Sequence, residues 1–120
     1  MINDANELDD GAVMRADICI VGAGAAGISL ALALIEAGKS VLLLESGGLQ
    51  AEAATQALYD GETADARMHP PPDKYRQRRF GGSTTIWGGR CMPLDPIDFE
   101  QRDYLPLSGW PIRYDDLAPF

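Results

Sequence analysis

An α/β fold, opened by a parallel strand–helix–strand unit, is the class this sequence predicts, and three observations predict it. A short apolar run, Ala16 to Gly24 ("ADICIVGAG"), ends in glycines, as a buried strand does where it turns. A proline-free stretch rich in alanine and leucine follows from Ala25 to Gly38. A second apolar run, Ser40 to Glu45, closes the unit about thirty residues after it began. Two strands joined through a helix in that length are parallel, with a right-handed crossover.

The first strand is continuous in its apolar character, which suits burial on both faces, and Cys19 within it is expected to pack as a small hydrophobe. The helix draws on good helix formers. Only Ser29 and Glu36 interrupt its apolar surface, so it is expected to lie buried against the sheet. Gly38 supplies a left-handed C-cap, and Lys39 places a cation near the carbonyl end. Residues 1–15, acidic and polar, read as a flexible leader. Beyond the second strand, Leu49 to Gly61 predicts a further helix, and Pro70, Pro71 and Pro72 force an extended path through the loop that follows. Tyr75 to Arg90 is a second glycine-rich block. The remainder is rich in proline and aromatics, with a short helix expected near Asp115. The last residues read as a helix cut short with no closing strand, so the chain is expected to be the N-terminal part of a larger protein. Its organisation is then a leader (1–15), a dinucleotide-binding segment (16–92) and the start of a linker towards a substrate region (93–120).

Bulk properties remove several classes of function. The chain has 120 residues, 46% of them hydrophobic, which is enough for one small packed domain. Its net charge of −8 argues against nonspecific nucleic-acid binding, which depends on neutralising phosphates. A small phosphate ligand is still admissible, because backbone N–H groups bind phosphate without lysine or arginine. The longest apolar stretch, Ile18 to Ala37, is broken by glycines and a glutamate and does not read as a membrane span. The N-terminus lacks a signal pattern, so a cytoplasmic setting is expected. Two cysteines are too few for a disulfide scaffold, and no metal-ligand spacing occurs. Asp95, Asp98, Glu100 and Asp103 have no metal-loop spacing and are expected at the surface.

Gly22-Ala23-Gly24-Ala25-Ala26-Gly27 fits G-x-G-x-x-G between a predicted strand and a predicted helix, the context that gives the motif meaning. This makes the fold Rossmann-like. Gly22 permits the turn off the strand, Gly24 leaves room for a pyrophosphate, and Gly27 lets the helix lie close to the sheet. The helix N-terminus, at Ala25 and Ala26, offers free N–H groups to the anion. Glu45, at the end of the second strand, can accept hydrogen bonds from ribose hydroxyls and would repel a 2′-phosphate. Ser46 and the two glycines after it bring backbone close to the adenine side. The block from Arg78 to Gly89 has four glycines in nine residues, Gly81, Gly82, Gly88 and Gly89, with Ser83 and Trp87 among them. Gly-Gly pairs bring main-chain N–H groups against a flat or anionic ligand. A flavin ring needs such a wall and a nicotinamide does not, which favours FAD over NAD.

The motifs "VGAGAAG", "LLLESGG" and "RRFGGSTTIWGGR", in that order, resemble the N-terminal part of the glucose–methanol–choline (GMC) oxidoreductases, nearest the pyranose oxidase and glycoside oxidase branch. "SGWPIRYDDLAPF" is similar to a segment of that branch, and the resemblance covers residues 16–120. It implies FAD, with the pyrophosphate at Gly22 to Gly27, the ribose on Glu45, and Gly81 to Gly89 along the pyrophosphate and flavin. It implies oxidation of an alcohol group, on a sugar or glycoside, with electrons passing to oxygen or another acceptor. Where pyranose oxidases carry a histidine that bonds covalently to the flavin, this chain has Ile86, so noncovalent FAD is expected. Many members have Asn or His where Trp87 stands; Trp87 either packs on the ring system or serves as a core aromatic. Arg79, with Arg76 and Arg78, either meets the phosphates or pairs with solvent and acids. Cys91 is expected to be a buried, inert thiol. The family's catalytic base is a histidine near the C-terminus, and nothing here matches it; His69, the one histidine, reads as an exposed loop residue. No residue of this chain is therefore assigned a catalytic role. An NAD-dependent dehydrogenase, or a non-catalytic dinucleotide-binding fragment, are the alternatives.

Overall fold

A computed structural model describes residues 1–120 and divides them into two compact units, Met1–Trp87 and Gly88–Phe120. In the first unit β1 (Ile18–Val21), α1 (Ala25–Glu36) and β2 (Val41–Leu44) form the expected parallel unit, with Ile18 opposite Val41 and Val21 opposite Leu44. The ladder extends at both ends: the Ile18 N–H donates to the Ser40 carbonyl at 3.2 Å, and the Gly22 N–H to the Leu44 carbonyl at 2.7 Å.

A side-chain clasp closes the entry end of the two strands. The Ser40 hydroxyl and N–H both donate to Asp17 Oδ2, at 2.7 and 2.8 Å, and the Asp17 N–H donates back to Ser40 Oγ at 2.9 Å. These bonds from Ser40 hold the Asp17 carboxyl below its ordinary value of 3.8.

The helix is less covered than its composition predicts. Gly27, Ile28, Ala31 and Leu34 recur at helical spacing and are the shielded face, with Ala31 buried. Leu30, Leu32 and Ile35 point to the other side and are more than half exposed. Two strands are simply too narrow to cover a twelve-residue helix all round. For the same reason Cys19, expected in the core, is exposed: alternate residues of β1 face away from α1, and only Ile20 is buried.

The helix predicted over Leu49–Gly61 is shorter. It comprises α2 (Ala53–Gln56) and a 3₁₀ turn from Ala57 to Tyr59, ended by extended backbone at Asp60. Gly48 and Leu49 lie outside it because their carbonyls accept long-range hydrogen bonds from Phe80 and Arg79. The three prolines also do more than extend the chain. Pro71 is extended, and Pro72 opens α3 (Pro72–Tyr75), where its fixed φ and missing N–H cost nothing. The leader is exposed and holds one 3₁₀ turn, Ala5–Glu7, capped by Asp4.

The second unit packs around Phe99, its one buried apolar side chain, with the rings of Trp110 and Tyr114 at 6.5 and 6.0 Å. Pro96–Phe99 is a 3₁₀ turn and α4 spans Tyr114–Leu117, beginning one residue before the expected start. Asp98 and Asp116 each accept the N–H of the residue three before it, at 2.9 and 2.8 Å, so these acids cap turns. No helix is long and apolar enough to cross a membrane.

Candidate functional site

The first glycine-rich segment and the start of the second, Arg78–Gly82, meet over the C-terminal ends of β1 and β2. Gly22 leaves β1 at φ +102°, a conformation that favours glycine. Ala23 is fully buried, and Gly24 caps α1. Ile28 is the first residue of the helix with a bonded N–H, to the Gly24 carbonyl at 3.0 Å. The N–H groups of Ala25, Ala26 and Gly27 are thus the free donors of a helix start. A Cβ on Gly24 would meet nothing within 4 Å, so the space above the turn is open. A Cβ on Gly27 would fall on the Gly22 carbonyl oxygen, far inside contact distance. Gly27 is there for packing, Gly24 for access.

Glu45 is half-buried and holds the two loops together. Its Oε2 accepts the Ala23 N–H at 2.8 Å and its Oε1 the Gly47 N–H at 2.9 Å. Oε1 also accepts the Ser46 hydroxyl at 3.4 Å, so the second acceptor position of Oε2 is the one left open to a ribose hydroxyl. Ser46 turns its hydroxyl to Arg78, whose Nη1 donates to it at 2.9 Å.

The segment Arg78–Gly82 then runs across the strand ends as a strap. A Cβ on Gly47 would fall on the Arg78 carbonyl, so only glycine admits this crossing. The Phe80 N–H donates to the Gly48 carbonyl at 3.0 Å, and the Gly81 N–H to the Ala23 carbonyl at 2.8 Å. Gly81 and Gly82 have φ of +88° and +55°, and a Cβ on Gly82 would stand 3.2 Å from Gly24 Cα. The strap therefore brings Gly82 against Gly24, main chain to main chain. Gly82–Thr85 form a 3₁₀ turn in which the Thr84 and Thr85 hydroxyls donate to the carbonyls of Gly81 and Gly82.

Other residues singled out in the sequence take different places. Arg79 donates from Nη2 to the Leu49 carbonyl at 2.6 Å, so its guanidinium secures the strap. Arg78 lies over the Tyr59 ring at 4.3 Å, and Arg76 over Tyr75 at 5.4 Å. Ser83 accepts the Gln77 N–H at 3.2 Å, within its own loop. Trp87 is 53% exposed. Gly88 and Gly89 open the second unit, each with open space where a Cβ would stand. Cys91, expected to be buried, is exposed. His69 is exposed, with its N–H on the Asp65 carbonyl.

Three residues of the site carried no signal strong enough to be singled out. Gly47 was visible only as part of a glycine pair. Gln56 and Tyr59 had no motif at all, because what places them is contact with residues about twenty positions later.

The open space at Gly24, the free N–H groups of α1 and the carboxylate of Glu45 together fit a dinucleotide: pyrophosphate at the helix start, ribose at the end of β2. The chain is 28% identical to a 2-methyl-1,2-propanediol dehydrogenase of Mycolicibacterium austroafricanum, over 88% of this chain and 23% of that protein. It is 32% identical to a 6'''-hydroxyparomomycin C oxidase of Streptomyces lividus, over 87% and 21%. It is also 32% identical to an oxygen-dependent choline dehydrogenase of Rhizobium etli, over 89% and 22%. The chain thus spans between a fifth and a quarter of the length of these relatives. No solved structure matches it. Residues 17–118, both glycine segments included, match the family described as "DAO: FAD dependent oxidoreductase", and the chain belongs to that family.

Proposed function

We propose that this chain is the N-terminal FAD-binding part of an oxidoreductase of the GMC type that oxidises an alcohol group on a sugar or glycoside. The observation that carries the reading is the strap: the Gly81 N–H on the Ala23 carbonyl sets the second glycine segment beside the first, at the mouth of a dinucleotide turn. The family's dependence on FAD sets the nicotinamide alternative aside. The relatives support oxidation of an alcohol group, since their names specify a diol, a hydroxyparomomycin and choline, all of which bear hydroxyl groups.

In this reading the N–H groups of Ala25, Ala26 and Gly27 hold the pyrophosphate, and Glu45 takes a ribose hydroxyl while keeping its two main-chain bonds. Gly81, Gly82 and Ser83 continue the wall from the pyrophosphate towards the ring. Trp87 is assigned to the flavin end. Ile86 has no nucleophilic atom, so the flavin is held noncovalently. Bound FAD supplies the hydride acceptor, N5 of the ring. The base that takes the hydroxyl proton is assigned to residues outside these 120, because the exposed His69 has no acidic or hydroxyl partner to orient it.

The full-length protein is expected to purify yellow. Under anaerobic conditions its visible absorbance should bleach on adding sugars or glycosides, and air or an artificial dye should restore it. Bleaching by choline or a short diol but by no sugar would move the substrate class. A colourless protein that takes up no FAD would end the reading.

A further inference from the structure

The strap is anchored from outside the site by one side chain. Gln56, at the end of α2, donates from Nε2 to the carbonyls of Asp73 and Arg76, both at 2.7 Å. Its Oε1 accepts the Arg78 N–H at 3.1 Å. Both amide donors and the acceptor are engaged, which fixes the amide's orientation. The three partners lie at the two ends of α3 and at the first residue of the strap, so Gln56 sets where the strap begins. Four residues further, the same segment places Gly82 on Gly24. The strap's other ties near its start, from Arg78 to Ser46 and from Arg79 to Leu49, are made by long side chains that can follow a shifted backbone.

We propose that Gln56 is a positioning residue for the cofactor: it sets the second glycine segment against the first and so controls the affinity for FAD. The proposal rests on the reading of those segments as one FAD site. Only an amide meets the requirement. A carboxylate at 56 would present negative charge to the carbonyls of Asp73 and Arg76, and an apolar isostere would leave those carbonyls and the Arg78 N–H without partners.

The test is FAD binding to the full-length apoprotein, followed by flavin fluorescence, in Gln56→Glu and Gln56→Met, with Thr55→Ala as a control on the same short helix. The expected result is a rise in Kd of tenfold or more in both Gln56 variants, with the flavin absorption bands shifted towards those of free FAD. Water can reach the partly exposed groups released, so the thermal midpoint of the apoprotein should fall by no more than a few degrees, and the control should change neither property. A Kd within twofold of wild type in either folded variant would overturn the proposal. So would a loss of affinity that only tracks a fall in apoprotein stability, or failure of both variants to fold, since Gln56 would then be a general structural residue. Wild-type protein that binds no FAD would instead overturn the underlying reading.

Discussion

Two glycines five positions or fewer from the same turn have opposite reasons to be glycine, and substitution separates them. Gly24 has an ordinary φ of −85° and open space where a Cβ would stand, whereas a Cβ on Gly27 collides with the Gly22 carbonyl. Gly24→Val is expected to leave the thermal midpoint of the apoprotein nearly unchanged while weakening FAD binding at least tenfold. Gly27→Ala is expected to lower both, with a stability loss on the order of 1–3 kcal/mol from the forced backbone shift. Calorimetry paired with flavin titration checks the pair; the same profile for both variants would contradict the assignment. Glu45 belongs to this scale too. Sequence reasoning found the residue from the charge that ends an apolar strand, but assigned it to ligand alone. The structure adds that its carboxylate receives the Ala23 and Gly47 N–H groups, so Glu45→Ala should weaken FAD binding and also cost about 1–3 kcal/mol of stability by leaving those donors unpaired.

At the scale of elements, the strands and main helix were legible and the path between the two glycine segments was not. β1, α1 and β2 announce themselves through local signals: an apolar run, helix formers without proline, a second apolar run ending in an acid. The strap has no period to read. Its course is decided by contacts such as Phe80 to Gly48 and Gly81 to Ala23, more than thirty residues apart, and no local pattern encodes those. The helix predicted after β2 loses its first residue to a contact of this kind, from Arg79 to the Leu49 carbonyl. The exposure of Leu30, Leu32 and Ile35 was unreadable for another reason, because composition tells how apolar a helix is and not how wide a sheet it meets. One element-level feature responds to pH. Because Ser40 lowers the Asp17 pKa in the folded chain, the clasp contributes fully above 3.8 and is lost as pH falls through the lower folded value. Ser40→Ala should weaken that acid-side dependence by removing the hydroxyl bond, while the main-chain N–H of residue 40 still donates to Asp17. Thermal midpoints from pH 7 down to pH 2 check it, and identical pH profiles for both proteins would contradict it.

For the whole molecule, the sparse core sets expectations. In the first unit only Ile20, Ala23 and Ala31 are buried, and a ligand that binds the folded form alone adds to its stability. Saturating FAD is therefore expected to raise the thermal midpoint by several degrees, and heat denaturation should release free flavin, leaving the pellet colourless; retained colour would contradict noncovalent binding. The central claim is that two segments some sixty residues apart in the chain hold one cofactor. Hydrogen exchange with and without FAD tests this most directly. Slowing of amide exchange at both Gly22–Ile28 and Phe80–Trp87 on adding FAD is the result the account predicts. Protection confined to Gly22–Ile28, with the second segment exchanging as it does in the apoprotein, would contradict it.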